Sequence, residues 1–471
     1  MECAVKSHYA PVIARRKRSK GRGNPLHAMG ASGLYGSVFV TQWIATGFQP
    51  SRGQKISFSL PQCNELPFTY PYKKRKKKHL GLPYVRKRFF HLVQYSYHKM
   101  IKTYLLFILS IFSFSLPLLA KPIDIFFGTS GRGAEGIYHA TFNPENGKFT
   151  PAKLSATIGS PGFLTTHPNG KILYSVGRWD GGTGALGYHI GPKGELKEFT
   201  RMACPDGGGC HIAVHPSGKF LLTAQYGGGS VAIFPLDKEG NLQIPTVIEH
   251  QGGSKVVEKR QESPHPHWTG FSPDGKYALV PDLGLDQIVI YKVDTNKPSI
   301  SKHGVAQSAP GGGPRHMRFS VDGKFIYLLN ELSLSVTTFA WDARKGTAKR
   351  LTTTPAISEE VKAGESFNSS AEILVHPSGK FVYSSNRGHD TVSVYQANPK
   401  NGKLKVVQVQ PIRGAFPRNI NLTPDANWLL AAGADSNTIA AHRIDPVNGK
   451  LTYQRGSVIN VPSPICILFL D

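Results

Sequence analysis

Beyond residue 121, apolar and polar positions fall into a repeating phrase. A turn bearing Pro, Asp or Gly is followed by an alternating apolar strand, and this happens six times. The copies are HPNGKILYSVG from His167, HPSGKFLLTAQ from His215, SPDGKYALVPD from Ser272, SVDGKFIYLLN from Ser320, HPSGKFVYSSN from His376 and the weaker TPDANWLLAAG from Thr423. The offsets between copies are 48, 57, 48, 56 and 47. A second apolar stretch precedes each turn, as in HIAV before His215 and EILV before His376. Two apolar runs joined by a tight turn read as an antiparallel pair.

A second pattern, a strand running into a Gly- or Asn-bearing turn, recurs seven times: FNPENGKF at 142, IGPKGEL at 190, PLDKEGNL at 235, KVDTNK at 292, WDARKGT at 341, ANPKNGKL at 397 and IDPVNGKL at 444. Six copies of the first pattern and seven of the second imply seven units, one divided between the ends of the repeat region. Ser463–Ile467 (SPICI) resembles the strand before a first turn, and Ile123–Phe127 resembles the strand after one. The last strand is therefore expected to complete the unit begun at Ile123. That arrangement closes a ring and leaves no open sheet edge. Residues 121–471 divided by seven give about 50 per unit, enough for four short strands. The expected fold is all-β, a seven-bladed propeller closed by its N- and C-terminal strands.

Composition agrees with a turn-rich β protein. The chain is 471 residues long, 18% charged and 40% hydrophobic, with 50 Gly and 34 Pro. This excludes a coiled coil or a wholly disordered chain. The net charge of +26 is uneven. Residues 1–120 hold 20 Lys/Arg against Glu2 and Glu65, leaving 36 against 28 in residues 121–471. The basic runs Arg15–Arg18 and Lys73–Lys78 lie in residues 1–99, where hydrophobic periodicity is poor. They match a nuclear-localisation or nucleic-acid patch, but the preferred expectation is that 1–99 is not part of the mature protein. The segment 100–120 places a new Met, one Lys and the apolar run YLLFILSIFSFSLPLLA before Lys121. It reads as a secretory signal peptide, with a short membrane anchor as the alternative. The mature domain, 121–471, is then expected to be periplasmic or secreted, or cytoplasmic if 100–120 is not a signal. No nucleic acid or membrane is expected to bind it, and it is expected to be a monomer. Cys204 and Cys210 flank PDGGG, a loop that a disulfide can close in an oxidising compartment. The odd cysteine, Cys466, argues against a full disulfide framework.

The repeat also locates candidate chemistry. With the residue that opens each turn as position zero, positions minus five and plus eleven should share the rim opposite the turns. Minus five reads Gly162, Cys210, His267, Arg315, Ala371 and Arg418. Plus eleven reads Arg178, Tyr226, Leu283, Glu331, Arg387 and Ala434. Minus four adds His211, Trp268, His316, Glu372 and Asn419. Packing does not require charged groups at these registers. Converging Arg side chains suit a carboxylate or phosphate, which they grip with two parallel donors. Salt bridging between neighbouring blades, such as Glu331 with Arg387, is the bland alternative. His265 and His267 offer a pair of imidazoles but no third ligand is spaced to join them, so no metal is expected. No G-x-S-x-G nucleophile turn occurs, and the Gly runs match neither a P-loop nor a dinucleotide fingerprint.

Several stretches carry a resemblance: SPHPHWTGFSPDGK at 263, DLGLDQIVIYKVD at 282, GGGPRHMRFSVDGK at 311, NELS at 330, SSAEILVHPSGK at 369, SNRGHDTVSVY at 385 and FPRNINLTPD at 416. With them the chain resembles the lactonase-type seven-bladed propellers, which include propeller 6-phosphogluconolactonases and carboxymuconate cyclases. The resemblance implies catalytic roles for His267, Arg315, Glu331 and Arg387. The repeat register adds His316, Glu372, Arg418 and Arg178 as candidate substrate contacts on the same rim, and His265 and Asp282 are further candidates. The implied activity is metal- and cofactor-independent hydrolysis of a small anionic sugar lactone, with either His267 or Glu331 as the base. A cyclase running the reverse lactonisation, or a propeller that only binds a ligand or protein, are the alternatives.

Overall fold

The computed structural model describes Met100 and residues 121–470. The basic runs within 1–99 and the apolar run 104–120 lie outside the described residues. Residues 121–470 form seven antiparallel sheets. Blade 1 runs Leu164–Thr166, Ile172–Trp179, Gly182–Ile190 and Leu196–Ala203. Blades 2 to 6 repeat this order, starting from His211–Val214, Gly270–Phe271, Pro314–Phe319, Ser369–Val375 and Pro417–Leu422. Blade 7 is the divided one. Its first strand, Pro464–Phe469, pairs with Ile123–Thr129 in the register Ile125↔Phe469 and Phe127↔Ile467. The chain ends therefore close the ring as the repeat implies.

Seven apolar clusters hold the ring together, one between each pair of adjacent blades. This changes one sequence expectation. The strand after the turn is buried along its whole length in blades 2 to 6, as in Phe325–Asn330 and Trp428–Gly433. Alternation does not appear there because a neighbouring blade covers each face, so both sets of side chains face apolar surface. It appears instead on outermost strands such as Thr347–Pro355, where exposed and half-buried residues alternate.

The two ends of the inner strands are built differently. At the turn end the blades are latched. His167 Nε2 lies 3.1 Å from the Gly218 carbonyl, His215 Nε2 3.0 Å from Gly275 O, and His376 Nε2 3.2 Å from Ala426 O. Each latch joins one turn to the next. In turns that open with Ser or Thr, the hydroxyl donates to the Asp two residues on, as in Ser320 to Asp322 at 2.7 Å. The turn glycines Gly218 and Gly275 have φ of +70° and +69°, a region that disfavours a Cβ. In the sixth copy Ala426 sits there at +54°. The second sequence pattern has its own packing reason. A Cβ on Gly449 would lie 2.4 Å from the Phe381 ring of the preceding blade.

At the opposite end the pairing is broken by extra residues. Register shifts fall between Pro314 and His316, between Ser370 and Ile373, and between Pro417 and Asn419. Blade 3 does the same, with Pro266 opposite Asp282 but Gly270 opposite Leu279. A bulge of this kind re-aims the side chains beside it. Arg315 and Arg418 are the inserted residues in blades 4 and 6.

Candidate active site

The bulged end surrounds a cavity of about 380 Å³, lined by residues from all seven blades. Ser130 and Ile465 come from blade 7, Phe163 from blade 1, Cys210 and Tyr226 from blade 2, and His267 from blade 3. Arg315, His316 and Glu331 come from blade 4, Arg387 from blade 5 and Arg418 from blade 6.

Glu331 is the hub. Arg315 Nε donates to its Oε2 at 2.8 Å, and Arg387 Nη2 lies 3.2 Å from the same oxygen. Arg260 Nη2 donates to Oε1 at 2.8 Å. His267 Nε2 is 3.9 Å from Oε2. Burial alone would raise the Glu331 pKa. The guanidiniums of Arg387 and Arg315, with a hydrogen bond from Arg260, outweigh that and hold it well below the usual carboxylate range. Arg315 and Arg387 are each also tied to backbone, while Arg387 Nε is buried with no hydrogen-bond partner among the described residues. Arg315 Nη1 donates to the Ala371 carbonyl, and Arg387 Nη2 to Ser370 O at 2.8 Å. The Arg387 guanidinium also sits 5.3 Å from the Phe416 ring centre. Burial, then the charge of Arg315, lowers its pKa to about 9.

The histidines here are neutral. Burial first, and Arg315 second, push His267 and His316 well below the ordinary imidazole value. Cys210 Sγ lies 3.8 Å from His267 Nδ1 and 3.5 Å from the His267 carbonyl, so the thiol packs directly on this imidazole. Cys204 and Cys210 are free thiols, as is Cys466. Burial raises the Cys210 pKa to about 11, which keeps it protonated.

His267, Arg315, Glu331 and Arg387, the four residues named from the sequence resemblance, meet at this one cavity. Residues 124–469 match the lactonase seven-bladed β-propeller family. The chain belongs to that family. A 6-phosphogluconolactonase of Bacillus subtilis is 33% identical over 339 residues, spanning 72% of this chain and 95% of that protein. One from Formosa agariphila is 34% identical over 331 residues, spanning 69% and 92%. The structure of a periplasmic gluconolactonase from Pseudomonas aeruginosa superposes with a TM-score of 0.69 at 27% identity, covering 74% of this chain and 99% of that one.

Within this lactonase-family propeller, His267, Arg315, Glu331, Arg387, His316 and Arg418 all line the cavity. Four other residues expected to touch substrate are placed elsewhere. Arg178 is exposed and donates to Ser160 Oγ at 3.1 Å. His265 stacks on Tyr226, with ring centres 4.6 Å apart. Asp282 is fully buried. It accepts the backbone N–H groups of His265, Gly284 and Leu285 and pairs with His250 Nδ1 at 2.6 Å. Glu372 is also fully buried, accepting from Arg318 and from Asn419 Nδ2 at 2.8 Å, with His316 Nδ1 3.1 Å away. Both carboxylates organise the wall rather than face the cavity. The register argument missed Arg260, which lies on the connection between blades 2 and 3 and has no counterpart in the repeat.

Proposed function

We propose that this chain hydrolyses a sugar lactone to the open acid, with 6-phosphogluconolactone as the preferred substrate. The observation that carries the reading is the division of charge at the cavity. Glu331 is held ionised by three guanidiniums, and His267 beside it is held neutral. The family and the relatives described above support the reaction class.

In this reading a water adds to the lactone carbonyl carbon while His267 Nε2 takes its proton. Arg315 and Arg387 receive the developing oxyanion. Collapse breaks the bond between the carbonyl carbon and the ring oxygen, and the imidazolium returns the proton to that oxygen. One C–O bond forms, one breaks, and one water is consumed. His267 serves better as the base than Glu331. Both oxygens of Glu331 already accept from arginines, and its low pKa makes it a weak proton acceptor. Its charge, 3.9 Å from Nε2, instead favours the imidazolium as it forms.

The test is acid release by the full chain from 6-phosphogluconolactone and from gluconolactone, with the spontaneous rate subtracted. The reading expects acceleration that falls at least about 100-fold in Arg315→Ala. A folded protein that accelerates neither reaction contradicts it. We also propose that Met100–Ala120 is an export signal and that the propeller works outside the cytoplasm. A native protein whose N-terminus is sequenced as Lys121 supports this, and one retaining residues 100–120 speaks against it.

A further inference from the structure

We infer that Arg418 anchors a phosphate group on the substrate and sets the preference for phosphorylated over neutral lactones. This rests on the lactonase reading and deepens it. Four arginines approach the cavity hub, and three of them are engaged with Glu331. Arg418 lines the same cavity yet makes no hydrogen bond, and no ion pair within 4 Å, among the described residues. Arg260, Arg315, Arg387 and Arg418 against Glu331 leave a surplus of three positive charges.

The half-buried Arg418 guanidinium gives up part of its hydration with no protein counter-charge beside it, which costs free energy that a bound anion would return. The same register holds Gly162, Cys210 and Ala371 in three other blades. The bulge between Pro417 and Asn419 makes Arg418 the inserted residue of its strand. Burial and the charge of Arg315 both act against its protonated form, so an anion in the cavity would relieve both. A planar two-donor fork fits the oxygens of a phosphate monoester, whose double charge also suits the surplus.

Position selects which part of the substrate this is. The proposed base and the Arg315 donor come from blades 3 and 4, whereas Arg418 comes from blade 6. Arg418 therefore enters the cavity across the ring from His267 and beside Arg387 of blade 5, and the anionic group it holds is placed on the side of the substrate opposite the base. A phosphate on the exocyclic carbon of a sugar lactone meets that requirement.

The experiment compares the full native chain with Arg418→Gln and Arg418→Lys. Turnover is measured on 6-phosphogluconolactone, gluconolactone and glucarolactone, which carries a carboxylate instead. Binding of inorganic phosphate is measured by calorimetry. In Arg418→Gln the ratio of kcat/KM for phosphorylated over neutral lactone should fall about 30-fold, mostly through KM. Phosphate binding should weaken in step, and Arg418→Lys should recover part of both. The ligand-free Gln variant should melt no lower than the native chain, because an uncompensated charge has been removed. An unchanged ratio overturns the inference, as does a loss confined to glucarolactone or equal phosphate binding by native and variant chains. If the native chain opens none of the lactones, the function reading fails. Calorimetry then decides the anion site by itself, with loss of phosphate binding in the Gln variant upholding it and equal binding overturning it.

Discussion

The two ends of the inner strands use the same residue type for opposite purposes. At the turn end, His167, His215 and His376 each reach one carbonyl on the next blade, and the repeat supplies the partner every time. At the bulged end, His267 and His316 sit among charges that differ from blade to blade. Regular pairing gives a latch that any blade can use. Broken pairing gives each blade a separate side chain to aim at the axis. The contrast teaches that stability and chemistry are segregated along a single strand, so substitutions at its two ends should have separable effects.

The largest expected effect comes from removing the hub. Glu331→Gln takes the counter-charge from Arg315 and Arg387 together. Turnover should fall about 1000-fold. Stability should fall by about 3 kcal/mol, because buried guanidiniums are left uncompensated. Chemical denaturation and initial rates on one preparation would check both. A variant that keeps near-native turnover would erase the distinction between the two ends.

A smaller effect is carried by pH. His211, His267 and His316 are buried and neutral, because burial pushes their pKa values well below the ordinary imidazole value. As pH falls below about 6.5 the unfolded chain takes up these protons first. Stability present above that pH should therefore decline steadily beneath it. Glu331, whose folded pKa is depressed, adds a further loss once pH falls below the ordinary carboxylate value of about 4.3. Denaturation midpoints between pH 7 and pH 5 should show the first slope, and His316→Gln should flatten it.

The ring, the division of blade 7 and the rim that carries the charges were legible in the sequence. Each follows from spacing, and the turn residues mark spacing openly. The bulges were not legible. One inserted residue leaves the apolar pattern intact, yet it moves Arg315 and His316 onto the same cavity wall despite their being neighbours. Asp282 and Glu372 carry charge at the right register, but backbone N–H groups and neighbouring side chains claim them first. Arg260 was invisible because a connection outside the repeat has no register to read.

The smallest expected effect tests the latch end alone. Ala426 occupies the turn position where the other copies carry glycine, at φ +54°. Ala426→Gly should relieve that strain and raise stability by about 0.5 kcal/mol with turnover unchanged. Thermal melting would detect it, and a destabilised variant would mean that the methyl packs usefully.

The separation of the two ends is tested most directly by measuring His267→Gln and His215→Ala side by side for lactone opening and for denaturation midpoint. The account predicts that His267→Gln loses about 100- to 10,000-fold in kcat with little change in midpoint. It predicts that His215→Ala keeps its kcat and loses about 1–3 kcal/mol of stability. Parallel losses of activity and stability in both variants would contradict it.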